Sequence, residues 1–408
     1  MRKIAVSLCV LLSAVQWACK PPTPDGETDT SGTGDAGTSA TAGSTTEGAG
    51  PCGVNGVQFN QICFRRHDFD TISADFIHAA DFNGDGRPDL ALDYGGTREL
   101  KILYWNGPED VQLSAAVKRT GGGGSDIQVF AADLDGDTDV DVGVLQDNME
   151  IVTLAGGQPD SVKKLSFGQN VGHGAVFDVD GDSLVEVFID TFAGVQLWRR
   201  MGDAYVPEGA TYPVPGCGYL GAITAADFNS DGITDVALVA TDTCGDVDLE
   251  SLPSSMGVVL LGKADLTFTK SDEIWAGTEP RDAHTGDFNG DGRPDLAIVN
   301  WTSEDVSILL GKGDGTFEPD ARHRPGTWVV HVGIGDLDGD GMDELIWQGE
   351  SQVAAASAPH LNNKVTRLLS DVAGPVAVAD LNQDGYADVA ARTNDGLDHL
   401  VLLISEGP

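Results

Sequence analysis

Basic side chains are scarce in this chain of 408 residues, with 24 Lys and Arg against 64 Asp and Glu, a formal charge of −40 and a pI near 4.1. That balance argues against nucleic acid as a partner, because phosphates demand a basic face. It argues equally against direct adsorption to an anionic membrane. Aromatic residues are only 7%, whereas glycine is plentiful at 53; many short strands with frequent turns account for this better than helices do. The chain has no nucleophile elbow, no phosphate-binding loop, no H-E-x-x-H and no paired C-x-x-C, so several common enzyme chemistries lack their residues. The tetraglycine at 121–124 has no lysine and no helix pattern after it, and reads as a turn.

Long apolar runs are missing too. The run from Ile4 to Val15 follows Arg2 and Lys3; it is too short to span a bilayer and reads as a secretory signal over residues 1–19. Cys19, followed by Lys20-Pro21-Pro22, resembles the acylated cysteine of a bacterial lipoprotein. Gln16 departs from the usual leucine of that pattern, and ordinary secretion is the other reading. Residues 20–51 hold no large aliphatic or aromatic side chain, so they are expected to stay disordered, a flexible tether with a reach of roughly 30 Å. Cys9 falls in the leader. Cys52, Cys63, Cys217 and Cys244 remain, an even number in an exported domain, which predicts disulfides with three pairings open.

One string dominates what is present: residues 81–91 and 287–297 both read DFNGDGRPDLA. Aligning on its acidic positions finds seven copies, with acidic or amide residues at positions 1, 3, 5 and 9. These are Asp81, Asn83, Asp85 and Asp89; Asp133, Asp135, Asp137 and Asp141; Asp178, Asp180, Asp182 and Glu186; Asp227, Asn229, Asp231 and Asp235; Asp287, Asn289, Asp291 and Asp295; Asp336, Asp338, Asp340 and Glu344; Asp380, Asn382, Asp384 and Asp388. Successive copies lie 52, 45, 49, 60, 49 and 44 residues apart, the mark of a repeat architecture.

Each copy follows a short small-apolar run such as FIHAA and precedes a second strand such as DLALD, then a third such as KILYW. A fourth is suggested by KADLTFTKSDEI. Four strands per period fit a propeller blade. The expected fold is all-β: a seven-bladed β-propeller over residues 52–408, after the signal and the tether. The last copy ends after its third strand, HLVLLIS (399–405), while QICFRRHDFD (61–70) has no blade of its own. Pairing these two closes the ring and hides two strand edges. Cys217 and Cys244 lie symmetrically about the loop 227–235, so the layout favours pairing them and leaves Cys52 for Cys63.

Three or four carboxylates cannot crowd together without a cation. Oxygen-only donors select a hard ion, and flexible geometry favours Ca²⁺ over Mg²⁺, with a backbone carbonyl at position 7 completing the shell. Glycine at position 6 permits the turn; Thr138 and Ser183 replace it in copies two and three. These residues resemble the FG-GAP/VCBS repeat family, calcium-binding propeller repeats also found in integrin α subunits, and GDFNGDGRPDLAIVNWTSEDVSILLGKGDGTFEPD (286–320) carries the likeness best. The resemblance implies that each loop joins the innermost and second strands and binds Ca²⁺, up to seven in all. Such ions can be staples with no further role.

If the loops occupy one face, the variable connections occupy the other. The expectation is a calcium-stabilised extracytoplasmic binding or adhesion module, monomeric, held to the cell envelope only through a lipid at Cys19, with a protein or glycan ligand on that opposite face. The alternative is a carbohydrate-active protein, a polysaccharide lyase or a lectin. A lyase needs a basic cleft, and only Arg65-Arg66-His67, Arg199-Arg200 and Arg322-His323-Arg324 cluster. A lectin would repeat a sugar contact in each blade, and these connections do not repeat. Trp301 and Trp328 could stack on sugars or simply pack between blades. His78 and His284 lie three residues before their loop, and His173 and His331 five before. All four share one parity on the inner strand, which allows an axial metal or acid/base cluster as well as four unrelated imidazoles.

Overall fold

Each acidic string turns the chain between two antiparallel strands, and the register is the same in every case. The residue before the string pairs with its ninth member: Ala80 with Asp89, Ala132 with Asp141, Phe177 with Glu186, Ala226 with Asp235, Gly286 with Asp295, Gly335 with Glu344 and Ala379 with Asp388. The computed structural model describes Cys52 and residues 56–407, apart from 95, 109, 120–127, 146–148, 166, 168–173, 180–184, 192–193, 203, 215–219, 242–254, 320, 326–328, 350, 358–364 and 394–398. The expectations placed on the leader, Cys19, the tether, Asp180, Asp182, Ser183, His173, Cys217, Cys244 and Trp328 lie outside the described residues.

Seven antiparallel sheets form the blades of a β-propeller. Blade one runs Phe76–Ala80, Asp89–Tyr94, Glu99–Trp105 and Val111–Leu113 from inside to outside. Blades two to six begin on Gln128–Ala132, Gly174–Phe177, Leu220–Ala226, Pro280–Gly286 and His331–Gly335, and each adds three further strands in sequence order. Blade seven starts on Val372–Ala379 and closes the ring. Its third strand, Leu400–Ser405, pairs with Ile62–Phe69, from Phe64 opposite Ser405 to Phe69 opposite Leu400. One strand more than expected, Gly56–Phe59, covers the outer edge. Cys52 and Cys63 are bridged, with Cα atoms 5.2 Å apart, inside the span a disulfide allows.

The core is divided among the seven seams between blades. Every buried apolar cluster joins two successive blades, and the seventh joins blade seven to blade one through Ile77, Leu90, Ala377 and Leu402. Second strands such as Asp295–Asn300 are therefore buried on both faces, while an outer strand such as Ala204–Tyr212 is mostly exposed. Between blades one and two, buried Arg119 holds the Asp93 carboxylate, with Nη2 at 2.9 Å from Oδ1, and lies 3.9 Å from Glu150. Removing one member of such a group would strand a charge in the interior.

The closing strand also fills its seam. Phe64 is fully buried in the cluster between blades six and seven. Phe64→Ala is expected to lower the unfolding free energy by about 3–5 kcal/mol, read from chemical denaturation. A loss below about 0.5 kcal/mol, the size of an ordinary surface change, would mean that the ring does not depend on this strand.

Candidate metal centres

Within the described loops, short carboxylates hold the backbone before any ion is considered. Asp81 accepts the N–H of Gly84 at 2.8 Å on one oxygen and that of Gly86 at 2.8 Å on the other. Asp287 does the same for Gly290 and Gly292, at 2.8 and 2.7 Å. Asn83 and Asp85 each accept the N–H two residues on, from Asp85 at 2.8 Å and Arg87 at 2.9 Å. These Asx turns wind the chain tightly between the two strands. Position 6 takes a left-handed φ, as in Gly86 at 87° and Gly292 at 76°. Thr138 adopts the same conformation at 79° and still donates its N–H to Asp133 at 2.9 Å, so the turn survives the loss of glycine at the expense of strain.

The ninth position has a second task. Asp235 accepts the N–H of Phe228 at 3.0 Å on one oxygen and that of Gly262, on the third strand, at 2.7 Å on the other. Asp141 binds Leu134 and Leu154, Asp295 binds Phe288 and Gly311, and Asp388 binds Leu381 and Ser405, all between 2.7 and 3.0 Å. The donor at position 2 is always a large apolar residue: Phe82, Leu134, Val179, Phe228, Phe288, Leu337 or Leu381. Each is buried in the seam toward the next blade. Sequence reasoning focused on the acidic positions passed over these residues, although their constancy through seven copies was the available signal.

In loops two and six, whose third position is aspartate, the oxygens of Asp133, Asp135 and Asp141, and of Asp336, Asp338 and Glu344, lie within 4.8 Å of one another. Asp137 and Asp340 stand outside these groups. In loops one, four, five and seven, with asparagine at position 3, no three carboxylates converge in this way among the described residues. Asn229 and Asn382 instead donate to Asp231 and Asp384, at 2.9 and 3.1 Å. In loop three only Asp178 and Glu186 are described, the latter accepting the Val179 N–H at 3.1 Å.

Burial, with a lesser push from neighbouring loop carboxylates, raises the ninth-position acids. Asp89, Asp141 and Asp388 reach about 7, Asp235 and Asp295 about 6, and Glu344 about 8. Such sites favour any partner that neutralises them, a proton or a cation. The donor set is all oxygen, several of it carboxylate, which fits a hard divalent ion.

The arrangement defines a class: a closed propeller built from hairpins that carry Asx-wound acidic loops. A family model for the FG-GAP-like repeat matches residues 81–144, 178–238 and 287–347. Each match opens on one loop and ends on the second strand of the next blade. The chain is a seven-bladed propeller of FG-GAP repeats. No curated protein matches it. Among solved structures, BBS1N in complex with ARL6DN, soaked with lead, is similar at a TM-score of 0.53 and 12% identity, covering 86% of this chain and 97% of that one. A lectin of Agrocybe aegerita that recognises non-reducing terminal N-acetylglucosamine is similar at a TM-score of 0.48 and 15% identity, covering 81% and 85%. At these identities the likeness concerns the fold.

Two outcomes follow from the loops. Thr138→Gly should stabilise the chain by about 1 kcal/mol through release of the left-handed strain; a destabilised variant in chemical denaturation would show that Thr138 contributes more than it costs. The raised carboxyls hold their protons more tightly when folded than when unfolded. The stability they lend is complete below about pH 4 and lost as pH rises through the range from about 6 to 8. In chelator, the denaturation midpoint should therefore fall between about pH 5 and pH 8, and a midpoint that rises over this range would contradict the burial assigned to them.

Proposed function

We propose that this chain is an exported binding module, tethered to the cell envelope through Cys19 and residues 20–51, whose loops hold calcium and whose opposite face takes a protein partner. The single observation that carries the calcium reading is the convergence of three carboxylates within 4.8 Å in loops two and six. The same residue pattern recurs in all seven loops. Asp81, Asn83, Asp85 and Asp89 and their counterparts would supply the oxygens. Calcium would provide the positive charge that allows the ninth carboxylate to stay ionised while buried. It takes no part in a reaction on this reading; it locks the hairpins.

The opposite face supports a protein partner over an acidic glycan. Three of its arginines are already engaged: Arg281 pairs with Glu279, Arg392 with Asp75 at 2.6 Å, and Arg322 lies 3.9 Å from Asp305. Mixed charge of this kind suits a protein surface, whereas a lyase would need free cations facing its substrate. BBS1N, alike in fold, was crystallised with a protein, ARL6DN.

Two measurements on the full chain test this. Calcium at about ten times its dissociation constant should add roughly 1.4 kcal/mol per occupied loop, so the melting temperature should climb in calcium and drop in chelator; an unmoved melting temperature ends the calcium reading. Retention on a panel of envelope proteins and polysaccharides, in calcium and in chelator, tests the partner. Calcium-dependent retention on a protein is expected, and retention on a polysaccharide with released products would replace this reading by the lyase.

A further inference from the structure

The propeller axis carries donors of a different chemistry from the loops. A cavity of about 20 Å³ opens between the inner strands of blades one, five, six and seven, walled by Ile77, His78, His284, Val332, Gly333 and Val376 among others. Space of that size takes one water or one metal ion and no organic molecule. Its wall is apolar except for the two imidazoles. Of the four histidines that share a strand parity, these two face one space.

His78 is 6% exposed and has no hydrogen-bond partner among the described residues. Burial pushes it down to about 4, so at neutral pH its ring is uncharged and offers a nitrogen lone pair. His284 is oriented from its own strand: Nε2 lies 2.9 Å from Oδ2 of Asp282, and both side chains are buried. That contact occupies one ring nitrogen and leaves Nδ1 for a ligand. His331 begins the inner strand of blade six. Burial lowers it to about 4, nearby Asp282 opposes that shift, and His284 and Arg392 add to it.

A carboxylate that fixes one nitrogen of a histidine while the other stays free is the arrangement found behind metal-ligating histidines. Neutral imidazoles suit zinc, copper and nickel, whereas calcium takes oxygen. An anion is disfavoured, because the Asp282 carboxylate stands beside His284 and the rest of the wall is apolar. We propose that the axial cavity binds one divalent transition-metal ion of the zinc class through His78 and His284, with Asp282 as a positioning residue and water completing the shell. This site is independent of the calcium assigned to the loops.

The test uses the untagged full chain, dialysed against zinc in excess calcium so that the oxygen sites are filled. Metal content by mass spectrometry should show one zinc retained per chain, and cobalt in its place should give the visible absorption of an imidazole-bound ion. His78→Ala and His284→Ala should each abolish retention, Asp282→Asn should weaken zinc binding by roughly 10- to 100-fold, and His67→Ala on the closing strand should change nothing. Melting curves in calcium separate loss of the site from loss of the fold. The cobalt spectrum of the unaltered chain decides the matter even if a variant fails to fold. Absence of both zinc retention and the cobalt signal, or retention that persists in a folded His78→Ala/His284→Ala variant, would overturn the proposal and leave the cavity to water.

Discussion

The structure depends on a buried carboxylate used once per blade. At the ninth loop position it accepts the N–H of position 2, and in Asp141, Asp235, Asp295 and Asp388 it also accepts one from the third strand, as Asp295 does with Phe288 and Gly311. Bonds of this kind to an ionised acceptor are roughly twice as strong as neutral ones. Desolvation opposes them, and that opposition is visible in the raised pKa values of Asp89, Asp141 and Asp388. A neutral amide in the same place would lack the second acceptor oxygen, so the acid cannot be exchanged for its isostere without freeing one strand. The need for a neutralising charge close by follows directly from this choice.

Position 2 turns that local device into a ring. The residue whose N–H the ninth carboxylate accepts sends its side chain into the seam with the next blade, so a loop that unwinds also opens an interface. Further bonds cross the seams between loops. Gly315 donates to the Phe228 carbonyl at 2.9 Å, Asp343 and Asp287 exchange two bonds at 2.8 Å, and Ala387 donates to the Asp336 carbonyl at 2.8 Å. Arg200 reaches the carbonyl of Leu134 in the same manner. With seven seams and no central core, stability is distributed among nearest neighbours. Closure by Ile62–Phe69 removes the two ends at which such an array would fray.

Much of this was legible in the sequence because the repeat is local. Loop positions, hairpin register, blade number and the closing strand all follow from strings a few residues long that recur at a near-constant period. The Cys52–Cys63 bridge followed from the same layout. Gly56–Phe59 escaped because GVQF carries no repeat and becomes a strand only once Ile62–Phe69 is in place to pair with it. The group formed by Asp93, Arg119 and Glu150 escaped for a related reason: its members come from two blades, and no local pattern marks a contact across a seam. Among the described loops, similar strings did not give equal geometries. In loops two and six aspartate at position 3 stands with two other carboxylates, while asparagine there, as in Asn229 and Asn382, donates to the fifth residue.

The histidine parity was readable in the same way, yet parity states only that side chains leave one side of a strand. Which of them meet depends on blade order around the ring. His78 and His284 are 206 positions apart in the chain and share a wall because blades one and five both border the axial space. Blade seven, which completes that wall with Val376, is the blade assembled from both ends of the domain. The axial cavity therefore exists only in the closed ring, whereas each acidic loop is formed within a single hairpin. Oxygen donors sit where local winding alone can gather them, and imidazoles sit where only the completed circle can. A site of the second kind reports on closure of the whole propeller, and one of the first kind on the integrity of a single blade.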